Sequence, residues 1–258
     1  MASPGISGAS IAGVSGSGAT YTVTVNTGMG KGTIRLDVPV SATITNLIGN
    51  PLANLPFIDG QTYTVYKLIP KAPVLRSPRN NTITNDTTPT FWWTNVMGGQ
   101  TYEIVVATNS AFTTNVDSDT TNGSPYTVAS TFGDGKYFWH VRAYNADNQP
   151  GAWSSIRTFT IDTTGPTAPV LTFPANNASV RRTPTFKWGR SSTAVLYEFQ
   201  YDNDSNFASP IYTISRRTTY GRPPAMGIGT YYWRVRAKDA VGNWSAWSAP
   251  FKIIITGP

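Results

Sequence analysis

Apolar and polar side chains alternate strictly from Tyr231 to Lys238. Tyr231, Trp233, Val235 and Ala237 fall on one side of an extended chain, and Tyr232, Arg234, Arg236 and Lys238 on the other. A period of two is the signature of a half-buried strand. Tyr197-Glu198-Phe199-Gln200-Tyr201 and Tyr102-Glu103-Ile104-Val105-Val106 alternate in the same way. Prolines and an Asn-Gly turn stand between such runs, and no stretch sustains a 3.6-residue period. Short alternating strands with regular turn punctuation predict an all-β chain of sandwich domains.

The pattern occurs twice. Ala72-Pro73-Val74-Leu75 returns as Ala168-Pro169-Val170-Leu171, and Thr88-Pro89-Thr90-Phe91-Trp92-Trp93 as Thr183-Pro184-Thr185-Phe186-Lys187-Trp188. Gly135 to Ala143 (GKYFWHVRA) returns as Gly229 to Ala237 (GTYYWRVRA), and Ala152-Trp153-Ser154 as Ala246-Trp247-Ser248. The offsets are 96, 95, 94 and 94. One domain of about 90 residues is therefore used twice, over 71–162 and 166–257. Both linkers, Leu68 to Pro73 and Asp162 to Pro169, carry proline, which fixes φ and favours an extended, semi-rigid joint.

Each repeat resembles the fibronectin type III fold. Trp93 and Trp188 look like its buried second-strand tryptophan. Tyr137 and Tyr231 open a run similar to its sixth strand, where a tyrosine corner sits. The wording of both repeats is similar to modules strung along large bacterial surface proteins. In that fold the chain ends leave from opposite poles, so the resemblance implies tandem Ig-like/fibronectin type III-like β-sandwiches arranged as an elongated string.

Residues 1–68 differ. The runs Tyr21-Thr22-Val23-Thr24-Val25, Thr33-Ile34-Arg35-Leu36-Asp37-Val38 and Gln61-Thr62-Tyr63-Thr64-Val65 resemble the later strands of Ig-like repeats in bacterial adhesins. The resemblance implies earlier strands that this chain lacks, so a partial Ig-like sandwich missing its first strands is expected. Two readings stand: a boundary falling inside a domain, or an open site that accepts a strand from a neighbouring subunit.

Composition narrows the setting. Hydrophobic residues at 40% and aromatics at 12% suffice to fill cores. With no cysteine, a bacterial or archaeal surface protein is expected rather than a disulfide-bearing vertebrate one. No apolar run reaches the roughly 20 residues of a membrane-spanning helix. Met1-Ala2-Ser3-Pro4-Gly5 has no signal-peptide character. The net charge of +7 is uneven: Lys+Arg against Asp+Glu is 3 to 2 over 1–70, 6 to 7 over 71–165, and 11 to 4 over 166–258. A basic segment can attract nucleic acid or an anionic surface. Several of these arginines belong to a packing motif, and nucleic acid is not the expected partner.

Catalytic chemistry has little to stand on. The single histidine, His140, occupies the position of Arg234 in the other repeat and is expected to be a solvated residue on the outer face of a strand. The only glutamates, Glu103 and Glu198, sit at equivalent positions of different repeats, so they form no carboxylate pair. Asp202-Asn203-Asp204-Ser205-Asn206 has the look of a calcium loop. It lacks glycine at the sixth position (Phe207) and glutamate at the twelfth (Thr213), so a plain turn is expected. No enzyme, cofactor or metal site follows.

Trp244-Ser245-Ala246-Trp247-Ser248 matches the Trp-Ser-x-Trp-Ser signature of class I cytokine receptors, which also sits on a fibronectin type III domain. That resemblance implies a ladder in which Trp244 and Trp247 interleave with Arg234 and Arg236. Receptor function does not follow, because that family's disulfides are absent. The other repeat has Pro150 in place of Trp244. Trp92, between two core-facing residues, is expected to point outward. It is a candidate to stack on a sugar or anchor an interface, or to be covered by the adjacent domain. Tyr232 and Arg222 are weaker candidates for the same role.

The expected function is that of a non-enzymatic stalk or adhesion segment of a bacterial surface protein, outside the cell. Its partners would be neighbouring domains or other copies. The alternatives are a filament subunit joined by strand complementation of the first domain, and a carbohydrate-binding accessory segment of a polysaccharide-degrading enzyme.

Overall fold

The computed structural model describes every residue except Ala2, Ala19, Leu47 and Pro258, together with the side chain of Met29. Residues 1–68 form three two-stranded antiparallel ladders. β1 (Ile6–Ser7) pairs with β4 (Met29–Gly30), β2 (Ser10–Ser17) with β3 (Thr20–Asn26), and β5 (Gly32–Arg35) with β6 (Thr62–Val65). A bulge between Ile11 and Gly13 keeps Ile11 and Val14 on the side of their partners Val25 and Val23. On that apolar face Ile11 and Val14 stay exposed. Among the described residues of this part, only Ile6 and Ile34 are buried hydrophobics. A sandwich opposes two apolar faces, and in the ladders of residues 1–68 the described apolar side chains are largely exposed. Isolated two-stranded ladders are marginal in water.

The two repeats are sandwiches of a five-stranded on a three-stranded sheet. The first repeat contains β7 (Leu75–Ser77), β8 (Thr82–Thr84), β9 (Thr90–Trp93), β10 (Thr101–Ala107), β11 (Asn115–Thr121), β12 (Tyr126–Thr127), β13 (Gly135–Tyr144) and β14 (Arg157–Ile161). Its sheets run β11-β10-β13-β14-β8 and β12-β9-β7. The second repeat contains β15 (Leu171–Phe173), β16 (Ala178–Val180), β17 (Phe186–Trp188), β18 (Leu196–Asp202), β19 (Tyr212–Arg216), β20 (Tyr220–Gly221), β21 (Gly229–Lys238) and β22 (Phe251–Ile255). Its sheets run β19-β18-β21-β22-β16 and β15-β17-β20. Pairing is antiparallel except where β8 joins β14 and β16 joins β22.

The cores follow from the alternation. Trp139 and Trp233 are fully buried, and each receives a phenylalanine from the facing small sheet edge-on, Phe91 at 4.9 Å and Phe186 at 5.0 Å. Burying one such ring contributes about 1.5–3 kcal/mol. Trp93 and Trp188 are also buried, packed on Tyr102 and Tyr197. The hydroxyls of those tyrosines accept the backbone N–H of Val96 and Ser191, which keeps a buried polar group satisfied in both repeats. Tyr137 donates to the Gly133 carbonyl at 2.9 Å and fixes the corner ahead of β13.

Candidate functional site

The outer face of each large sheet carries a stack of flat and cationic side chains. In the second repeat, β21 presents Arg234, Arg236 and Lys238 at every second position, so they line up on one side. The segment after β21 runs beside it and lays its tryptophans between them. The Arg234 guanidinium lies between the rings of Phe207 (4.1 Å) and Trp247 (4.2 Å). Arg236 lies between Trp247 (4.6 Å) and Trp244 (4.2 Å), and the Lys238 ammonium caps Trp244 at 5.2 Å. Neighbouring β18 aligns the cations from the side: Gln200 accepts from Nε and Nη2 of Arg234, and Glu198 accepts from Arg236. Burial, with the adjacent Arg236 charge, pulls Arg234 below the ordinary arginine range.

The serines of the same segment explain its spacing. Ser245 and Ser248 return the backbone N–H to the carbonyls of Ala237 and Val235. Their hydroxyls then accept the N–H groups of Ala237 (2.9 Å) and Val235 (3.1 Å). Each serine thus replaces a strand partner, satisfying both backbone groups of β21 that would otherwise be orphaned. Trp244 and Trp247, each directly before one of these serines, are left to face the ladder.

A ladder is also built on the first repeat, where sequence reading saw only a remnant. His140 is not a solvated strand residue. Its ring is sandwiched between Phe112 (3.6 Å, 3°) and Trp153 (3.8 Å, 10°). Arg142 follows, over Trp153 at 4.4 Å and Tyr144 at 5.1 Å. Burial in the stack lowers His140 to about 4, against a raising pull from Glu103 and a further lowering by Arg142. Burial raises Glu103, but hydrogen bonds from the Tyr144 hydroxyl and Arg142 Nε outweigh it and hold the carboxyl below its ordinary value. The signal that could have found this stack was the repeat itself, since Phe112, His140 and Trp153 stand 95, 94 and 94 residues before Phe207, Arg234 and Trp247.

The other candidates are scattered. Trp92 is 46% exposed on the outer face of the first repeat's small sheet, between buried Phe91 and Trp93. Tyr232 is half-buried on the outer face of the second repeat's large sheet, opposite Asp202 and Lys252. Arg222 lies beyond the small sheet of that repeat and donates from Nε to the Thr185 hydroxyl at 2.9 Å. They form no common site. In the calcium-like loop, Asp202 and Asp204 accept backbone N–H groups from Asn203 and Asn206. Phe207 and Phe112 both have φ of 54° at the end of this turn, which therefore delivers the outermost ring of each ladder. Glu103 and Glu198 belong to separate ladders. Among the described residues no group of His, Asp and Glu could hold a metal ion.

The joints are also duplicated. At the first, Asn145 Nδ2 donates to the Leu68 carbonyl and to Gln149. The Lys67 ammonium meets Asp147. At the second, Asn243 Nδ2 donates to the Asp162 carbonyl (2.8 Å) and to Asp239, and the Asn85 amide reaches Asn243 (3.1 Å). In both, the turn after the long strand of one repeat clamps the linker that precedes it.

These features define two tandem β-sandwiches, each of a five-stranded on a three-stranded sheet and built without disulfides. Residues 75–164 match the family described as the Rha78A-like N-terminal immunoglobulin domain. Among solved structures, the fibronectin(III)-like modules of Clostridium thermocellum CbhA are similar at 16% identity and a TM-score of 0.43, covering 72% of this chain and 94% of that one. The chicken CNTN1 FN1–FN3 domains are similar at 14% identity and a TM-score of 0.43, covering 78% and 71%. No curated protein matches the sequence.

Proposed function

We propose that the chain is a non-catalytic spacer of a larger bacterial surface protein, holding sandwich modules at set angles outside the cell. The observation that carries this reading is the repeated joint. A flexible tether would have no need of two linkers each clamped by an asparagine amide and pressed against the following turn. No helix among the described residues is long and apolar enough to cross a membrane, and modules of this class are typically extracellular. Small-angle scattering of the purified chain tests it. An extended particle whose maximum dimension is constant over a hundredfold concentration range is expected. A compact particle or a broad distribution of lengths overturns it.

Two other readings each have one supporting observation. The exposed apolar face of the β2–β3 hairpin favours strand complementation between copies. Light scattering on the same dilution series would then show a concentration-dependent ladder of masses that is lost when residues 1–20 are deleted. The match to a domain named for its place at the N-terminus of another protein favours an accessory segment joined to a further domain. Possession of a glycan-binding face would strengthen that reading.

A further inference from the structure

The small sheet of the second repeat presents an outward row that its counterpart lacks. Phe173 on β15, Lys187 on β17 and Tyr220 on β20 are direct cross-strand partners in sequence across the sheet. Partners share a face, with their Cβ atoms roughly 5 Å apart. Lys187 points outward, since Phe186 and Trp188 on either side of it are buried. Phe173 is 50% and Tyr220 51% exposed. Two apolar rings therefore face water on either side of an ammonium group, roughly 10 Å apart at the usual strand spacing.

The same face continues to Arg222 and Thr185, each two residues from a member of the row. The Thr185 hydroxyl, two residues before Lys187, accepts Arg222 Nε at 2.9 Å. Arg190, just past β17, and Arg217, in the turn between β19 and β20, are exposed as well. None of these four cations is in an ion pair among the described residues. The acids of this repeat, Glu198, Asp202, Asp204 and Asp239, all lie on the large sheet or its loops. In the first repeat the corresponding face has Trp92 where Lys187 stands and Ser77 as its partner.

We propose that this face binds an extended acidic polysaccharide, a chain of carboxylate-bearing sugars, through ring stacking on Phe173 and Tyr220 and charge pairing with Lys187 and Arg222. A flat sheet suits a polymer lying across it rather than a small ligand in a pocket. A carboxylated sugar carries an apolar ring face and its charge in one unit, which matches a ring and a cation one strand apart. Bases also stack on aromatic rings beside cations, so oligo-dT is the comparison that separates the two ligands. Guanidinium and ammonium pair with carboxylates, and aromatic rings stack on the apolar faces of sugars.

The test is titration calorimetry on the intact chain with polygalacturonate at low and moderate salt. Methyl-esterified polygalacturonate and oligo-dT serve as comparison probes. Saturable binding of polygalacturonate is expected, weakened at least fivefold by esterification. Lys187→Glu with Arg222→Glu should abolish it. Tyr220→Ala and Phe173→Ala, which leave the charge unchanged, should each weaken it at least fivefold. Arg79→Glu, at an exposed cation of the first repeat, should leave it unaltered. Absence of binding overturns the proposal. So does equal affinity for oligo-dT, indifference to loss of both rings, or a loss with Arg79→Glu as large as with the double variant. If the charge-reversed variant fails to fold, the two alanine variants decide the matter alone.

Discussion

His140 shows how one side chain's surroundings set its chemistry. At its position the other repeat has Arg234, a permanent cation held between Phe207 and Trp247 and fixed by Gln200. Val105 stands where Gln200 does, so His140 has the two rings without the side acceptor. The far face of Trp153 is already occupied by Arg142, whose charge also disfavours a second cation. The neutral imidazole is therefore the folded form, with its value lowered from 6.5 to about 4. Because the folded value lies below the unfolded one, its contribution to stability is complete above pH 6.5. It is lost progressively as pH falls towards 4. Glu103 titrates below its ordinary 4.5 in the fold, so its own loss begins only about a unit above 4.5 and the earlier loss, on falling from 6.5, belongs to the histidine. NMR titration of the sole imidazole should give a midpoint near 4, and His140→Gln should remove the acid dependence of the first repeat's unfolding above about pH 5.5. A midpoint at or above 6.5 would refute this account.

At the level of the element, the segment Trp244 to Ser248 works as a strand without being one. Its backbone touches β21 at alternate residues, and its serine hydroxyls take up the remaining N–H groups. Ser248→Ala would leave the Val235 N–H buried without a partner, a cost of about 1–3 kcal/mol. Chemical denaturation of the second repeat should show that loss with an unchanged dependence on denaturant concentration. Ser154→Ala should do the same in the first repeat, where Ser154 holds Val141. The strands were legible because alternation fixes which side chains meet the core, and Trp139 and Trp233 lie where it places them. The ladders were legible only in part. Arg234 and Arg236 announce themselves by spacing. Phe207 and Phe112 arrive from a turn whose positive φ no periodicity reveals. For residues 1–68 alternation marks the strands but does not say what lies opposite their apolar faces.

Over the whole molecule, the joints decide what the modules can do together. At the first, a Cβ on Gly151 would strike the Pro70 carbonyl, and at the second a Cβ on Gly165 would strike that of Trp244. Gly165→Ala should therefore prise the second joint open while leaving each repeat's own unfolding midpoint within about 0.5 kcal/mol of the parent. Residual dipolar couplings should then fit two independent alignment tensors in the variant and one in the parent. The close approach is made possible by glycine on the loop side of one joint and on the linker side of the other. Ser245 takes the place of Gly151 in the second repeat, and the clamping amide has likewise moved from Asn145, the first residue of its turn, to Asn243, the last. If genes for such repeats recombine, a crossover between linker and module would set the linker bearing Pro70 against the loop bearing Ser245, with a glycine on neither side. The inherited cassette is then a module together with the linker before it.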